Sequence, residues 1–344
     1  MFESPSAPAW IAPLLDQADA AEARGNPALA LAILQRAAAT RAPGLQSRLG
    51  LALARAGRLP EAARALRGAL MEAADDAQIR YALGLCLVAG GRYREGARLL
   101  DARFELPGLG ARKPAGFPFP EWRGEALAGK RLAVFPELSL ADQVLAARFI
   151  PGLQAGGVEV LLFAPPELTR LYATSFPAAT VVPAAGAVEF DEPHAWTTIG
   201  ALIALAADSG PPPPCLAAPS GGPGARVALA VAGLPDQAAQ RLRDELPGER
   251  IEPVMDGDLA EAAAAFSGAE LVVCLDGPAA QLASGLGLRT LVLAPARDPH
   301  WSFAMGPQAP LWHPTCEVFR ADPRGEWSSA IERLVTQARA RLGA

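Results

Sequence analysis

Two carboxylates stand where a short apolar stretch gives way to a helical pattern. Asp142 follows "RLAVFPELSL", and Asp276 ends "AELVVCLD" just before Gly277 and "PAAQLASGLG". A carboxylate in such a place can accept a proton from a hydroxyl within hydrogen-bond reach. It can equally cap the helix behind it or sit in the first turn, where the helix dipole favours an acid. Both readings stand for Asp142, and for Asp276 the choice is between a strand-end cap and a ligand contact. Gln281 lies one turn into the helix after Asp276, as a plain helical residue or a polar contact. Arg297 and Arg320 could meet a phosphate, against a background of solvated surface arginines. His300 and His313 are flanked by apolar and aromatic residues and read as packed side chains; His194 has no partner within sequence reach. Neither a Ser/His/Asp arrangement nor a metal-ligand spacing emerges from three such scattered histidines.

The elements that would carry these residues are read from periodicity. "RLAVFPE" is a short strand, "LADQVLAARFIPGLQAGG" an amphipathic helix, "VEVLLFAPP" a strand, "ELTRLYATSF" a helix and "ATVVPA" a strand. A proline run, Pro211 to Pro214, and "APSGGPG" through Gly224 interrupt this alternation. After it come "RVALAVAG", "RIEPVM", "AELVVCLDG" and "RTLVLAPA" as strands separated by helices, then a last helix within "GEWSSAIERLVTQARARL". That helix is expected to begin with acids and end in arginines, which suits its dipole. Strands alternating with helices imply parallel sheets with right-handed crossovers.

Ahead of these units lies a repeat. Gly25, Gly57 and Gly91 are 32 and 34 residues apart, each followed five positions on by a small residue and nine positions on by leucine: Ala30 and Leu34, Ala62 and Leu66, Gly96 and Leu100. Leu49-Gly50 and Leu83-Gly84 precede the last two. Offset and period together resemble three tetratricopeptide repeats, helix pairs with a period of about 34 residues. The glycines fall where a helix must end. The expected organisation is therefore repeats over 11–105, a Pro/Gly-rich linker over 106–129, one α/β unit over 130–210, a hinge over 211–224, and a second α/β unit with a terminal helix over 225–344. Phe117, Phe119 and Trp122 suggest a linker that packs down on the fold.

Composition narrows the function classes. Of 344 residues, 51% are hydrophobic and 19% charged, which marks a folded chain with ample core. A net charge of −5 argues against a general nucleic-acid binder. The four cysteines are far apart, without a Cys-x-x-Cys pair, so neither a zinc site nor a disulfide framework is expected. No run of 18 apolar residues spans a membrane, and "MFESPSAPAW" lacks the marks of a secretory leader. The chain reads as cytoplasmic, and its arginine bias over lysine suits a GC-rich bacterial genome.

The whole resembles bacterial TPR-containing glycosyltransferases related to heptosyltransferases. The segment "EWRGEALAGKRLAVFPELSLADQVLAARFIPGL" is similar to the join between repeats and catalytic domain, with Ser139-Leu140-Ala141-Asp142 where the family reads Gly-Leu-Gly-Asp. "LVVCLDGPAAQLASGLGLRTLVL" is similar to the family's donor-site strand, turn and helix, with Gly277-Pro278 in place of Thr-Ser and Gln281 in place of His. "PHWSF" and "PLWHPTCEVFRADPRGEW" resemble its closing segment, with Glu317 in place of an arginine.

The resemblance implies a tetratricopeptide solenoid followed by two small doubly wound, Rossmann-like α/β domains of the GT-B type. It implies transfer of a sugar from a nucleotide sugar to a protein acceptor, of which flagellin-type surface proteins are the natural guess. Asp142 would be the general base, and Asp276, Gly277, Gln281 and Arg297 would meet the nucleotide sugar. No metal or resident cofactor is implied. The departures from the pattern imply an alternative, a catalytically inactive pseudoenzyme acting as a protein-interaction adaptor. Pro278 brings no N–H to a phosphate, Glu317 is expected to place a negative charge near the phosphates, and the segment after the first strand of the second unit is short. A third reading is an unrelated α/β ligand-binding protein that shares only the fold.

Overall fold

The computed structural model describes residues 11–343 except 25, 41, 43, 110, 111, 186–189, 191, 206–209, 221, 223 and 305–310. Its first third is six helices: α1 (Ala12–Ala23), α2 (Pro27–Ala38), α3 (Leu45–Arg55), α4 (Leu59–Glu72), α5 (Ala77–Ala89) and α6 (Tyr93–Leu100). Each packs on the next. The periodic positions explain why. Ala30, Ala62 and Gly96 are buried, as are Leu34, Leu66 and Leu100, so small residues set the spacing between helices and leucines fill it. At Gly96 the approach is close, since a Cβ there would lie 2.7 Å from the Val88 side chain and 2.8 Å from the Gly84 carbonyl. Gly57 and Gly91 end α3 and α5 with left-handed φ values of 68° and 80°; Gly25 lies outside the described residues.

The linker does pack down. Trp196 exchanges backbone hydrogen bonds with it, Trp122 N to Trp196 O at 2.7 Å and Trp196 N to Pro120 O at 3.0 Å. Phe117 stacks on Phe119 and Phe135, with ring centroids 4.9 and 4.8 Å apart.

The first sheet contains β1 (Arg131–Phe135), β2 (Glu159–Ala164), β3 (Thr180–Pro183) and β4 (Ala195–Thr198), all parallel in the order β3-β2-β1-β4. The periodicity reading found the first three and missed β4. The expected long helix is broken into α7 (Leu140–Ala146), a 3₁₀ turn and α8 (Ile150–Ala155). Pro151 cannot donate to the preceding turn, so a continuous ladder is lost there. Among the described residues this unit is not doubly wound. One face, Leu132, Val134, Val160 and Leu162, packs in the main core with residues of α7, α8 and α9 (Pro166–Ser175). The other face, Ala133, Leu161, Phe163 and Trp196, is covered by Phe117, Phe119 and Phe190 instead of a helix.

The second sheet is β5 (Ala225–Ala230), β6 (Arg250–Ile251), β7 (Ala269–Leu275), β8 (Thr290–Ala294) and β9 (Cys316–Arg320), parallel throughout in the order β6-β5-β7-β8-β9. Here both faces carry helices. Val227, Leu229, Leu271, Val273, Leu291 and Leu293 pack with Leu242 of α10 (Asp236–Glu245) and Leu334 of α13 (Ser328–Leu342). Ala228, Val272, Cys274 and Val292 face the side of α11 (Leu259–Ser267) and α12 (Pro278–Gly285). The terminal helix α13 ends in Arg339 and Arg341 as expected, but no acid lies in its first turn, because the helix begins at Ser328 beyond Glu326.

Cys215 and Leu216, in the segment read as a hinge, lie against α12 rather than apart from it. Both donate backbone hydrogen bonds to the Gly285 carbonyl, at 3.0 and 2.9 Å. The three parts meet at Trp312, which is buried. Its ring contacts Tyr93 of α6, Phe149 beside α8 and Trp301 after β8. The Arg148 guanidinium bonds the Trp312 carbonyl at 3.0 Å and the Pro212 carbonyl at 2.8 Å.

Candidate functional site

In open parallel sheets, ligands bind beyond the carboxyl ends of the strands, at the point where strand order reverses. The second sheet reverses between β5 and β7, and Asp276 and Gly277 follow β7 at that point. Gly277 adopts φ 141°, and a Cβ there would meet nothing within 4 Å. Pro278 opens α12. The loop after β1 carries Asp142, and α7 behind it packs on α12. The ends of β1, β7 and β8 thus converge on one seam between the two α/β units.

Ser139 caps α7, its hydroxyl accepting from Asp142 N at 3.2 Å and donating to Asp142 Oδ2 at 2.6 Å. Across the seam, the Trp301 indole N–H donates to Asp142 Oδ1 at 2.9 Å, and His300 Nε2 lies 3.1 Å from the same oxygen. His300 also donates its backbone N–H to Asp276 Oδ2 at 2.7 Å. One histidine therefore joins the two carboxylates that the sequence singled out.

Behind His300 runs a polar chain inside the core. Its Nδ1 accepts from Ser302 N at 3.3 Å and lies 2.8 Å from Ser302 Oγ, so in the neutral ring the proton sits on Nε2, toward Asp142. Ser302 Oγ meets His313 Nε2 at 2.8 Å, and His313 Nδ1 meets Ser284 Oγ at 2.8 Å. Gln281 Nε2 reaches Ser302 Oγ at 2.9 Å. His313 also stacks on Phe303 with centroids 3.9 Å apart.

The electrostatics follow from this wiring. Burial works to raise Asp142, but the hydrogen bond and charge of His300, with help from Ser139 and Trp301, bring its carboxyl below the usual value. Burial works to lower His300, and Asp142 and Asp276 outweigh it, so its ring is raised. Asp276 goes the other way. Burial pushes it up to about 6, only partly offset by His300 and Arg320. Among the described residues its Oδ1 is buried without a hydrogen-bond partner, as is Gln281 Oε1. Burial, then the charges of Arg148 and His300, hold His313 well below its usual value.

Backbone strain marks both loops. Among the described residues the two non-glycine positions with left-handed backbone are Leu138, at φ 68°, and Asp298, at φ 52°. One lies four residues before Asp142 and the other two before His300. Such conformations cost of order 1–3 kcal/mol each and collect at ligand sites.

Beside the seam lies a cavity of about 650 Å³. Leu51 of α3, Tyr81 and Leu85 of α5 and Leu106 form one wall, and His300 and Trp301 another. Its size suits a small ligand or a peptide side chain.

Not every expected residue joins this group. Asp142, Asp276, Gly277 and Gln281 do. Arg297 does not, because it pairs with Glu22 of α1 at 2.5 Å and with Asp298 at 3.3 Å. Glu317, expected near the phosphates, is on β9 facing α13, where it bonds Arg341 and Gln337 at 2.8 and 2.9 Å. The packing role expected for His300 is replaced by a polar one at both ring nitrogens. Its position in "DPHWS" after an apolar strand was the available signal, since a strand-end loop in a parallel sheet is where ligands bind.

No family model matches the chain. A search of curated proteins finds protein FlbA of Caulobacter vibrioides, 24% identical over 335 residues, covering 77% of this chain and 55% of that protein. The chain thus spans about half the length of that curated relative. Among solved structures, similar folds include the Escherichia coli heptosyltransferase WaaC with ADP-2-deoxy-2-fluoro heptose, at 12% identity, 60% and 99% coverage of the two chains and a TM-score of 0.41. The iron-containing dodecameric glycosyltransferase TibC of enterotoxigenic E. coli gives 13% identity, 60% and 66% coverage and 0.37. An O-GlcNAc transferase of Thermobaculum terrenum gives 14% identity, 97% and 92% coverage and 0.27. Among the described residues no helix is long and apolar enough to cross a membrane.

Proposed function

We propose that this chain is a glycosyltransferase-like protein that moves a sugar from a nucleotide sugar onto a protein recruited by its helical layer. The observation that carries the reading is the Asp142–His300 contact, 3.1 Å long, at the seam where strands of both parallel sheets end. A sugar-accepting hydroxyl loses its proton as it attacks, and Asp142 is the group to take it. Its Oδ1 is filled by two donors, whereas among the described residues Oδ2 accepts a side-chain hydrogen bond from Ser139 alone. Oδ2 is therefore the oxygen with capacity for the proton. His300 orients the carboxylate and holds it ionised.

The donor's diphosphate would rest at the start of α12, where Ala279 and Ala280 offer free amides and the dipole favours an anion. Gly277 leaves room for it, and Gln281 supports His300 from below. The acceptor chain would lie in the cavity shared with α3 and α5, on helices read as tetratricopeptide repeats. A flagellin-type protein is the acceptor class suggested by the sequence resemblance.

One observation favours a second reading, a pseudoenzyme adaptor. The chain's own His300 and Trp301 occupy the seam, and Pro278 withholds an amide from any phosphate. Calorimetric titration with a panel of nucleotide sugars separates the two. Micromolar binding followed by transfer supports the enzyme, and no binding up to millimolar concentration leaves the adaptor.

A further inference from the structure

A second cavity, of about 410 Å³, lies away from the seam between α1–α3 and the carboxyl ends of β8 and β9. Among the described residues four arginines line it, Arg55, Arg58, Arg297 and Arg320, with Glu22 as the single carboxylate of its wall. The chain as a whole is acidic, at −5, so this grouping of guanidinia runs against the overall charge.

Its construction is specific. Arg55 and Arg58 flank the left-handed turn at Gly57, and the Asp298 N–H holds that turn by donating to the Arg55 carbonyl at 2.7 Å. Arg297 enters from the strained loop after β8. Arg58 is oriented by a two-pronged pair with Glu61, at 2.8 and 2.7 Å. Arg320 bonds the Phe303 carbonyl. Glu22 bridges Arg297 at 2.5 Å and Arg55 at 3.4 Å. Between the charges the wall is mostly apolar, with Pro27, Ala28, Leu31, Ala52 and Ala296 beside the polar Gln35.

We propose that this cavity binds a phosphorylated small molecule with an apolar body. Arginine forks match phosphate oxygens two at a time, which a lysine cannot do. In this arrangement Glu22 is an internal competitor, a carboxylate standing where the phosphate would bind and holding Arg55 and Arg297 until it is displaced. The apolar wall takes the ligand body. The site lies at strand ends, as ligand sites in parallel sheets do, but on β8 and β9 rather than at the β5/β7 reversal. The inference does not rest on the sugar-transfer reading.

The test uses the full chain and 2-naphthyl phosphate, with 2-naphthol and inorganic phosphate as partial probes, followed by calorimetry. The phosphate ester is expected to bind roughly tenfold or more tightly than the alcohol. Arg58→Gln and Arg297→Gln should each weaken it by roughly tenfold. Glu22→Gln should tighten it several-fold, a gain that misfolding cannot produce and that a merely structural ion-pair network does not predict. Three results overturn the proposal: no binding up to millimolar ester, unchanged affinity in Glu22→Gln, or binding that survives both arginine variants but is lost in His300→Gln, which would place the ligand in the seam.

Discussion

The Trp301 indole N–H reaches across from the second α/β unit and donates to Oδ1 of Asp142, 2.9 Å away, on the first helix of the other unit. The bond ties the candidate base to the unit it faces, so chemistry and stability can be separated by choice of variant. Asp142→Asn keeps a carbonyl oxygen for Trp301 and His300. It should abolish sugar transfer while costing about 1 kcal/mol of stability. Asp142→Ala leaves both donors unpaired and should cost about 1–3 kcal/mol for each. Urea melts alongside a transfer assay check both; full turnover by the asparagine variant would remove Asp142 from the mechanism.

The Asp142–His300 pair fixes a pH window. Asp142 is held below its unfolded value, so its contribution is complete above about pH 4 and fades as pH falls through the lowered value. His300 is raised, so its contribution is complete below about pH 6.5 and fades as pH rises through the raised value. The stability gap between wild type and His300→Gln should therefore be largest near pH 5 and shrink as pH rises through the raised value of His300. A gap independent of pH would mean that the pair is not ionised.

Asp276 has the opposite sign. Its folded value is about 6 against an ordinary 3.8, so the fold prefers the protonated acid and carries a penalty above pH 6. That difference corresponds to at most about 3 kcal/mol. Asp276→Asn should raise the melting temperature at pH 8 and converge on wild type toward pH 4, as thermal scans across this range would reveal.

Arg103 and Glu137 form a buried two-pronged pair between the helical layer and the loop after β1, at 2.8 and 2.7 Å. Arg103→Met strands the carboxylate and should cost about 3–5 kcal/mol. The double variant Arg103→Met/Glu137→Leu should recover much of that loss. A double variant as unstable as the sum of the singles would show that the two side chains act independently.

Two glycines in the helical layer should respond in opposite directions to alanine. Gly68 has only ordinary contacts waiting, the nearest at 3.7 Å on the Gln46 side chain, so Gly68→Ala should stabilise by up to about 1 kcal/mol through helix propensity. Gly96→Ala drives a methyl into the Gly84 carbonyl and should destabilise by about 1–3 kcal/mol. Chemical denaturation of the two variants side by side settles the signs.

Much of this organisation was legible in residue order. The glycine, small-residue and leucine offsets found positions that are buried in α2, α4 and α6, because a helix interface repeats its steric demands at each turn. Asp142, Asp276 and Gln281 were legible because strand-to-helix transitions carry a local pattern. His300 was not, since its partners lie 24 residues away at Asp276 and 158 away at Asp142, and nothing local distinguishes a bonded imidazole from a packed one. Arg297 and Glu317 were misplaced for a related reason. Which face of a loop or strand a charge takes depends on neighbours such as Glu22 and Arg341, which only the tertiary fold supplies.

Trp312 gives these contacts a collective meaning. A single indole held by the helical layer and by both α/β units couples the stability of the three parts. Removing the helices would not liberate a smaller working core; it would uncover an aromatic plug and leave both remaining units prone to aggregation. The chain should accordingly melt in one step, and helical layer and seam would then be lost or kept together.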